Sequence, residues 1–487
     1  MRQPADDRAL YLRQVRATVA GTFLPELSSP TAIDAAGLVD RILVECIVEE
    51  EWAESLSAEF GSEFEALLSP ASTEGSASAS TAVTPEGFDE LRSRAAVTVS
   101  QLAASDAAAD RELCRRLVEV ERRFLERVDE LRRAVLDEQL DTESSISLSE
   151  CSVTPEQLTS YLRGKLAASP DLAVAAMRVV PGGRSKETIL VSLTGTTELP
   201  DQVIVRKDRP VGILQTRAID EFGVLAAVDG YGGVPVPRPF FADDLHEAMG
   251  GGTLLVMQRV AGAKAGEYFP DLAAPTEHRH ALGEQFATAL AHLHQIPLEN
   301  LQPTGLDLDP DVTEASITMS VEAMSTRIVE LSGPRIAAVP LARQWLLDHV
   351  GDVVPAGRLC LLQGDVGLHN MLIDGDRLTA LVDWEAATIG PPARELAAAW
   401  PAATALMTWS EFVAAYGAAG GPREAADENA VSFYRVFFAL GACMSSRTGG
   451  HLFRTGAKRD LLTAHSGLDA HFRAQRNLAR ALEDASV

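Results

Sequence analysis

The sequence predicts an α+β protein in which a small β-rich lobe precedes a large helical lobe, with an all-α helical domain in front of both. Three observations predict this class. Apolar residues recur at helical spacing over residues 1–140, β-rich segments with turns occupy residues 175–260, and helical spacing returns from Thr276. A chain of 487 residues is also too long for one core. The expected division is a helical domain at 1–140, a linker at 141–154, a small lobe at 155–262 and a large lobe at 263–487.

The N-terminal helical domain contains no pattern that is typical of a catalytic site. One of its helices has an apolar stripe at Leu113, Leu117, Val120, Phe124, Val128 and Leu131. Such a stripe is typical of the core edge of a small helical bundle, which is the interpretation we favour. It can also form a coiled-coil seam between subunits. The sequence therefore leaves open whether the chain forms a homo-oligomer or binds a protein partner through this domain.

Composition and charge exclude some classes of function. The net charge is −26, from 43 basic and 69 acidic residues, which disfavours nucleic-acid binding because phosphate contacts need clustered Lys and Arg. The charge is compatible with a cationic small substrate, although solubility alone explains it. Five cysteines without a CxxC pair indicate neither a disulfide framework nor a zinc site. The N-terminus lacks the order of a signal peptide and no apolar run is long enough to span a bilayer, so we predict a cytoplasmic protein without a membrane partner.

The stretch from Leu359 to Glu385 concentrates polar residues at the ends of short apolar segments. An apolar run stops at Gly364-Asp365, and Asn370 follows five residues after the aspartate. An Asp-Gly pair between two short apolar segments then predicts a β-hairpin. Its open end brings Asn370 opposite Asp383, with Asp365 on the loop that leads into it. Two carboxylates and an amide in one place suit oxygen ligation of Mg²⁺.

The same three residues match the needs of phosphoryl transfer. That reaction needs a carboxylate to orient or deprotonate the attacking hydroxyl, and an amide and a carboxylate to hold Mg²⁺ against the phosphates. Asp365, Asn370 and Asp383 fill those roles in that order. The alternative is a surface hairpin with incidental polar ends, which the complete spacing disfavours.

This stretch resembles the aminoglycoside phosphotransferase family. The resemblance rests on Gly364-Asp365, on Asn370 and on Val382 to Glu385. It is closest to the branch that includes the kinase domains fused to acyl-CoA dehydrogenases, on Gly364 to Asn370 and Asp383 to Pro392. The resemblance implies a bilobal, protein-kinase-like fold with ATP and Mg²⁺ as cofactors. It also implies transfer of the γ-phosphate of ATP to a hydroxyl of a small molecule, either a hydroxyacyl-CoA or an aminoglycoside.

In the small lobe, the resemblance implies a set of nucleotide-binding residues. Arg206 or its neighbour Lys207, on the opposite strand face, would pair with the α- and β-phosphates, and Glu221 would pair with that base. A turn that contains Gly182, Gly183 and Ser185 falls where the family has its phosphate-covering loop. Each feature alone has a plainer interpretation: an exposed basic strand end, a solvated helix glutamate or an ordinary hairpin turn.

Three features depart from the family pattern. Gln363 replaces a histidine, Pro391 and Glu395 stand where the family often has two aspartates, and Arg206 replaces a lysine. These departures support one alternative, a catalytically impaired kinase-like module for nucleotide binding or protein interaction. A protein kinase is disfavoured, because the sequence has no Asp-Phe-Gly or Ala-Pro-Glu element.

Overall fold

The computed structural model describes most of the chain, and the contacts divide it into two compact units. The described residues are 30–69, 85–137, 153–166, 168–180, 186–208, 217–245, 251–266, 277–308, 310–353, 358–455 and 461–485, with isolated positions between residues 12 and 27. The first unit comprises Met1–Ser145, Val312–Pro355 and Ser432–Val487, and the second comprises Ile146–Asp311 and Ala356–Val431.

In the described part of the chain, three long helices come first, a strand-rich segment follows, and most of the remaining elements are helices. The α-helices are α1 (Pro30–Leu68), α2 (Pro85–Leu102), α3 (Ala108–Asp137), α4 (Pro155–Lys165), α5 (Ala218–Tyr231), α6 (Glu277–Gln295), α7 (Glu314–Ser332), α8 (Ala338–Val353), α9 (Pro392–Leu406), α10 (Trp409–Ala418), α11 (Glu428–Thr455) and α12 (Leu461–Asp484). The strands are β1 (Ala173–Val179), β2 (Lys186–Thr194), β3 (Gln202–Asp208), β4 (Pro239–Asp244), β5 (Thr253–Gln258), β6 (Ala263–Lys264), β7 (Cys360–Leu362), β8 (Met371–Asp374), β9 (Arg377–Leu381) and β10 (Thr388–Gly390). Among the residues described, no helix is both long and apolar enough to cross a membrane.

The first unit is helical, and the apolar stripe of α3 faces its interior. Leu117, Val120, Phe124 and Val128 are at most 4% exposed. The ring of Phe124 lies 5.9 Å from that of Phe60 in α1 and 5.0 Å from that of Phe88 in α2, measured between centroids. Aromatic pairs at this separation add to the free energy of apolar burial. The stripe is thus used in the core of a bundle within the chain.

Buried ion pairs connect helices of the first unit that are far apart in sequence. Arg132 of α3 donates to Glu45 of α1 at 2.7 Å and to Asp129 at 2.8 Å. Asp129 also accepts a hydrogen bond from Arg476 of α12. Burial raises the pKa of Asp129, but Arg476 and its other arginine partners more than offset this and hold the pKa at about 2. Buried ion pairs therefore join α3 to both α1 and α12.

This division by contacts differs from the predicted domain limits. The limits 1–140 and 263–487 follow the order of patterns along the chain, whereas contacts place Val312–Pro355 and Ser432–Val487 with the N-terminal helices. Periodicity identifies an apolar helix face but does not identify the face against which it packs, which is why the grouping was not predicted. Residues 141–152 of the predicted linker lie outside the described residues.

The second unit contains an antiparallel five-stranded sheet in the order β1-β2-β3-β5-β4. Helix α4 packs on one face of this sheet, where Leu158 and Leu162 join Val203 and Val205 in one buried cluster. This helix begins at Pro155, where Thr154 caps it in a reciprocal capping box.

The predicted hairpin is formed by β8 and β9. These strands pair antiparallel around a turn in which Gly375 has a φ of +61°. Two contacts of this region were not predicted: β6 pairs with β8, and the apolar strand β7 pairs with β10. The hairpin thus belongs to a three-stranded sheet with β6, while β7 and β10 form a separate two-stranded sheet.

Candidate active site

The open end of the hairpin brings Asn370 against Asp365. The main-chain N–H of Val382 donates to the carbonyl of Asn370 at 2.9 Å and closes the hairpin at this end. The side-chain amide of Asn370 donates to the carbonyl and to Oδ2 of Asp365, both at 2.9 Å. Among the described residues, Oδ1 of Asn370 has no hydrogen bond. The side chain of Asn370 therefore orients Asp365 and leaves its own oxygen for another ligand.

Asp383 follows the hairpin with an unusual backbone conformation. Its φ is +65°, the one positive φ recorded for a non-glycine residue in the described part of the chain. Aspartate tolerates the left-handed region better than most residues, yet such conformations persist only where the surroundings enforce them, and they concentrate at functional sites. Here the side chain of Gln363 donates to the carbonyl of Asp383 at 2.7 Å.

Arg206 connects the five-stranded sheet to this hairpin. Side chains alternate along β3, so Val203 and Val205 face α4 and Arg206 faces the other way. Its Nη1 donates to Glu221 of α5 at 2.7 Å, and its Nη2 donates to Oδ1 of Asp383 at 2.9 Å. One guanidinium thus joins three of the predicted site residues.

Burial controls the electrostatics of this pair. Glu221 is 2% exposed, and burial raises its pKa to about 7, opposed by the charge of Arg206 and assisted by that of Asp383. Burial also disfavours the charge on Arg206, but Glu221 and Asp383 more than offset this, so the pKa of Arg206 is raised above its usual value. Arg206 therefore stays charged at every physiological pH and is fixed in direction by two carboxylates.

Asp208 positions the Arg206–Glu221 pair, and sequence reasoning missed it. Its Oδ1 accepts the N–H of Ala218 at 2.9 Å, at the first turn of α5. Its Oδ2 accepts the N–H and the hydroxyl of Thr253 in β5, at 2.8 and 2.6 Å, and Lys186 of β2 lies 3.2 Å away. This one carboxylate ties α5 to three strands. A helix cap that lies ten residues before the helix leaves no local signal, so the sequence offered no way to find it.

The loop that carries Asp365 is held by Gln363 and Glu395, which are two of the residues that depart from the family pattern. Glu395 of α9 accepts the main-chain N–H groups of Gln363 and of Gly364, the latter at 3.1 Å. Gln363 donates from its side chain to the carbonyl of Val382 at 3.0 Å, and its Oε1 accepts the N–H of Asp365 at 2.8 Å. Burial raises the pKa of Glu395 to about 7, opposed by those two amides. Both replacements thus make the contacts that hold the loop.

The loop also requires glycine at position 364. Its φ is +85°, and a Cβ there would lie 2.2 Å from the carbonyl oxygen of Ala386. Neither the conformation nor the space suits any other residue. Gly364 therefore permits the close approach of the loop to the segment after Asp383.

Comparisons with known proteins identify the family. The model of the phosphotransferase enzyme family, APH, matches residues 176–434. The chain belongs to this family. The predicted resemblance is thereby confirmed, as is the α+β, protein-kinase-like fold, with its small antiparallel sheet, helical lobe and N-terminal helices.

Individual relatives of this chain are more distant. It is 28% identical over 205 residues to acyl-CoA dehydrogenase family member 11 from Pongo abelii and from Homo sapiens, which covers 40% of this chain and 25% of each relative. The chain thus spans about a quarter of the length of these curated relatives. A solved structure of a thermostable mutant of aminoglycoside phosphotransferase APH(4)-Ia, in ternary complex with ADP and hygromycin B, is 15% identical with a TM-score of 0.47, and the match covers 68% of this chain and 99% of that one.

Four predicted site residues remain: Lys207, Gly182, Gly183 and Ser185. Lys207 is 2% exposed and lies on the face of β3 that carries Val205, opposite Arg206, so the structure does not bring it to the site. Gly182, Gly183 and Ser185 lie outside the described residues.

The side-chain oxygens at this site fit a Mg²⁺ ion that the protein would share with the phosphates of a nucleotide. In the described ranges, no three His, Cys, Asp or Glu side chains gather closely enough to hold a metal ion. Mg²⁺ at a nucleotide site commonly takes one or two protein oxygens and completes its shell with phosphates and water. Oδ1 of Asn370 and Oδ2 of Asp383, neither with a hydrogen bond from a described residue, are the two candidate oxygens.

Proposed function

We propose that this phosphotransferase transfers the γ-phosphate of ATP to a hydroxyl group of a small molecule in a Mg²⁺-dependent reaction. The observation that carries the proposal is the contact of Arg206 with Asp383, 2.9 Å between Nη2 and Oδ1. If Arg206 binds phosphate and Asp383 binds Mg²⁺, this contact joins the two roles beside the hairpin whose open end carries the Asn370–Asp365 contact. A cytoplasmic location, where ATP is abundant, is part of the same proposal.

Each residue then has one task. Asp365, with a side chain 40% exposed, orients the acceptor hydroxyl and accepts its proton as the oxygen attacks. Asn370 and Asp383 hold Mg²⁺, and Arg206, fixed by Glu221, binds the α- and β-phosphates. Bound Mg²⁺–ATP supplies the phosphoryl group and neutralises its charge.

The contacts of the loop support an active enzyme over a non-catalytic nucleotide-binding module. That alternative rested on the replacements at positions 363, 395 and 206. Gln363 and Glu395 hold the Asp365 loop through main-chain amides and carbonyls, and Arg206 makes both ion pairs that the site needs. Each replacement therefore keeps a supporting role in the geometry.

For the acceptor, we propose a hydroxyacyl-CoA first and an aminoglycoside second. The likeness to acyl-CoA dehydrogenase family member 11 favours an acyl thioester. The net charge of −26 favours a polycation such as an aminoglycoside. Of the two, the relative's name is the more specific indication, because net charge describes the whole surface.

Transfer of labelled phosphate from γ-labelled ATP tests the proposal. The full chain is incubated with Mg²⁺ and either a series of hydroxyacyl-CoAs or a series of aminoglycosides. Asp365→Asn should lower transfer at least ~100-fold, the lower range for loss of a general base, and leave the Kd for ATP unchanged. Asp374→Asn, at the exposed closed end of the hairpin, is the matched control and should transfer normally. Absence of transfer to both series, or undiminished transfer by Asp365→Asn, would overturn the proposal.

A further inference from the structure

The candidate base Asp365 has a second side-chain partner. Nε2 of His369 lies 3.2 Å from Oδ2 of Asp365, the oxygen that also accepts the Asn370 amide at 2.9 Å. Among the described residues, Oδ1 of Asp365 has no hydrogen bond. One carboxylate oxygen is thus held from two sides, while the other is left for a ligand.

The loop provides space for the His369 ring. A Cβ on Gly367 would lie 2.7 Å from Nδ1 and 2.8 Å from Cε1 of that ring. The φ of Gly367 is 179°, an extended conformation that any residue adopts, so the backbone does not demand glycine here. The missing side chain therefore matters because it lets the imidazole lie against the loop, within reach of Asp365.

We propose that His369 is a positioning residue for phosphoryl transfer, and this inference rests on the function proposed above. With the proton on Nε2, the ring donates to Oδ2 of Asp365 and prevents the carboxylate from rotating about its Cβ–Cγ bond. Asn370 alone cannot do this, because its amide is shared with the main-chain carbonyl of Asp365 and its oxygen is assigned to Mg²⁺. Oδ1 is then kept pointing to the acceptor hydroxyl, and small errors in such an orientation cost large factors in rate.

Two substitutions of His369 separate this role from simple packing. His369→Phe keeps a planar ring without a donor, and His369→Gln keeps an N–H donor at nearly the position of Nε2. Loss of a hydrogen bond to a charged group should lower kcat about 10-fold in His369→Phe, with an unchanged KM for ATP, and His369→Gln should recover most of the loss. Equal kcat in His369→Phe and wild type, or equal losses in both variants, would overturn the proposal.

A double-mutant cycle with Gly367 tests the same contact from the other side. Gly367→Ala should lower kcat by displacing the ring, but it should cause no further loss when His369 is already Phe. Additive losses in the double variant would contradict the proposed coupling.

Crystal structures of the same variants provide a readout that does not require turnover. Asp365 should keep a single rotamer in wild type and His369→Gln, and occupy several in His369→Phe. A single, unchanged rotamer in His369→Phe would overturn the inference even if no acceptor were phosphorylated. If Asp365→Asn abolishes transfer but His369→Phe does not affect it, this inference fails and the proposed function stands.

Discussion

Nη2 of Arg206 donates to Oδ1 of Asp383 over a distance of 2.9 Å and a separation of 177 residues in sequence. The bond links the five-stranded sheet to the hairpin that carries the candidate metal ligand. It also uses one of the two carboxylate oxygens of Asp383, so Oδ2 is the oxygen that remains for the proposed Mg²⁺. The side chain of Arg206 thus connects the sheet directly to the residue that follows the hairpin.

Replacing Arg206 by lysine should weaken nucleotide binding. The guanidinium uses two different nitrogens for Glu221 and Asp383, whereas a single ammonium is a point charge that cannot hold both in the same fork. We expect Arg206→Lys to raise the Kd for ATP in the presence of Mg²⁺ about 10-fold, which isothermal titration calorimetry measures. Lys207→Met, on the other face of the strand, is the control and should leave the Kd unchanged. Similar changes in both variants would contradict the assignment to Arg206.

Alanine at position 364 should cost far more stability than alanine at position 375. Both glycines have positive φ, so each substitution costs about 1–2 kcal/mol of backbone strain. At Gly364 the new Cβ would also meet the carbonyl of Ala386 at 2.2 Å, whereas at Gly375 nothing lies within 4 Å. Thermal unfolding of Gly364→Ala and Gly375→Ala measures the difference. Equal shifts in Tm would show that the loop can move away from Ala386 at no cost.

The sequence predicted the centre of the site better than its surroundings. Asp365, Asn370 and Asp383 are joined by one hairpin, and an Asp-Gly turn between apolar segments is a local signal. The contacts of Asp208 and Glu395 cross 45 and 31 residues respectively and leave no such trace. Strand β10 has three residues, too few for a period to be seen.

Replacement of Glu395 by glutamine should change how stability depends on pH. Burial raises the folded-state pKa of Glu395 to about 7, above the ordinary value of 4.5. The protonated form of Glu395 is favoured in the folded state. The contribution of Glu395 to the free energy of unfolding is therefore fully present below about pH 4.5 and is lost as the pH rises through about 7. The wild-type free energy of unfolding should therefore fall by about 3 kcal/mol relative to Glu395→Gln across that window. Urea unfolding at several pH values measures this, and parallel curves would refute it.

Removal of the charge of Asp129 should destabilise the helical unit. Asp129 is 5% exposed, so Asp129→Asn removes the carboxylate beside the buried guanidinium of Arg476 and one of the carboxylates beside that of Arg132. We expect the free energy of unfolding to fall by about 3 kcal/mol. Glu112→Gln is the matched control in the same helix, because Glu112 and its partner Arg115 are more than half exposed and should contribute less than about 0.5 kcal/mol. Chemical denaturation compares the two, and equal losses would contradict the burial argument.

The composition of the helical unit has a consequence for biosynthesis. Its core needs helix α12 from Ser432–Val487 as well as helices from Met1–Ser145. A ribosome delivers the first of these segments long before the last. The N-terminal helices therefore lack part of their packing, including the ion pair of Asp129 with Arg476, until α12 has been synthesised. A folding helper that shields them during this interval would act on the nascent chain and have no role once α12 has docked.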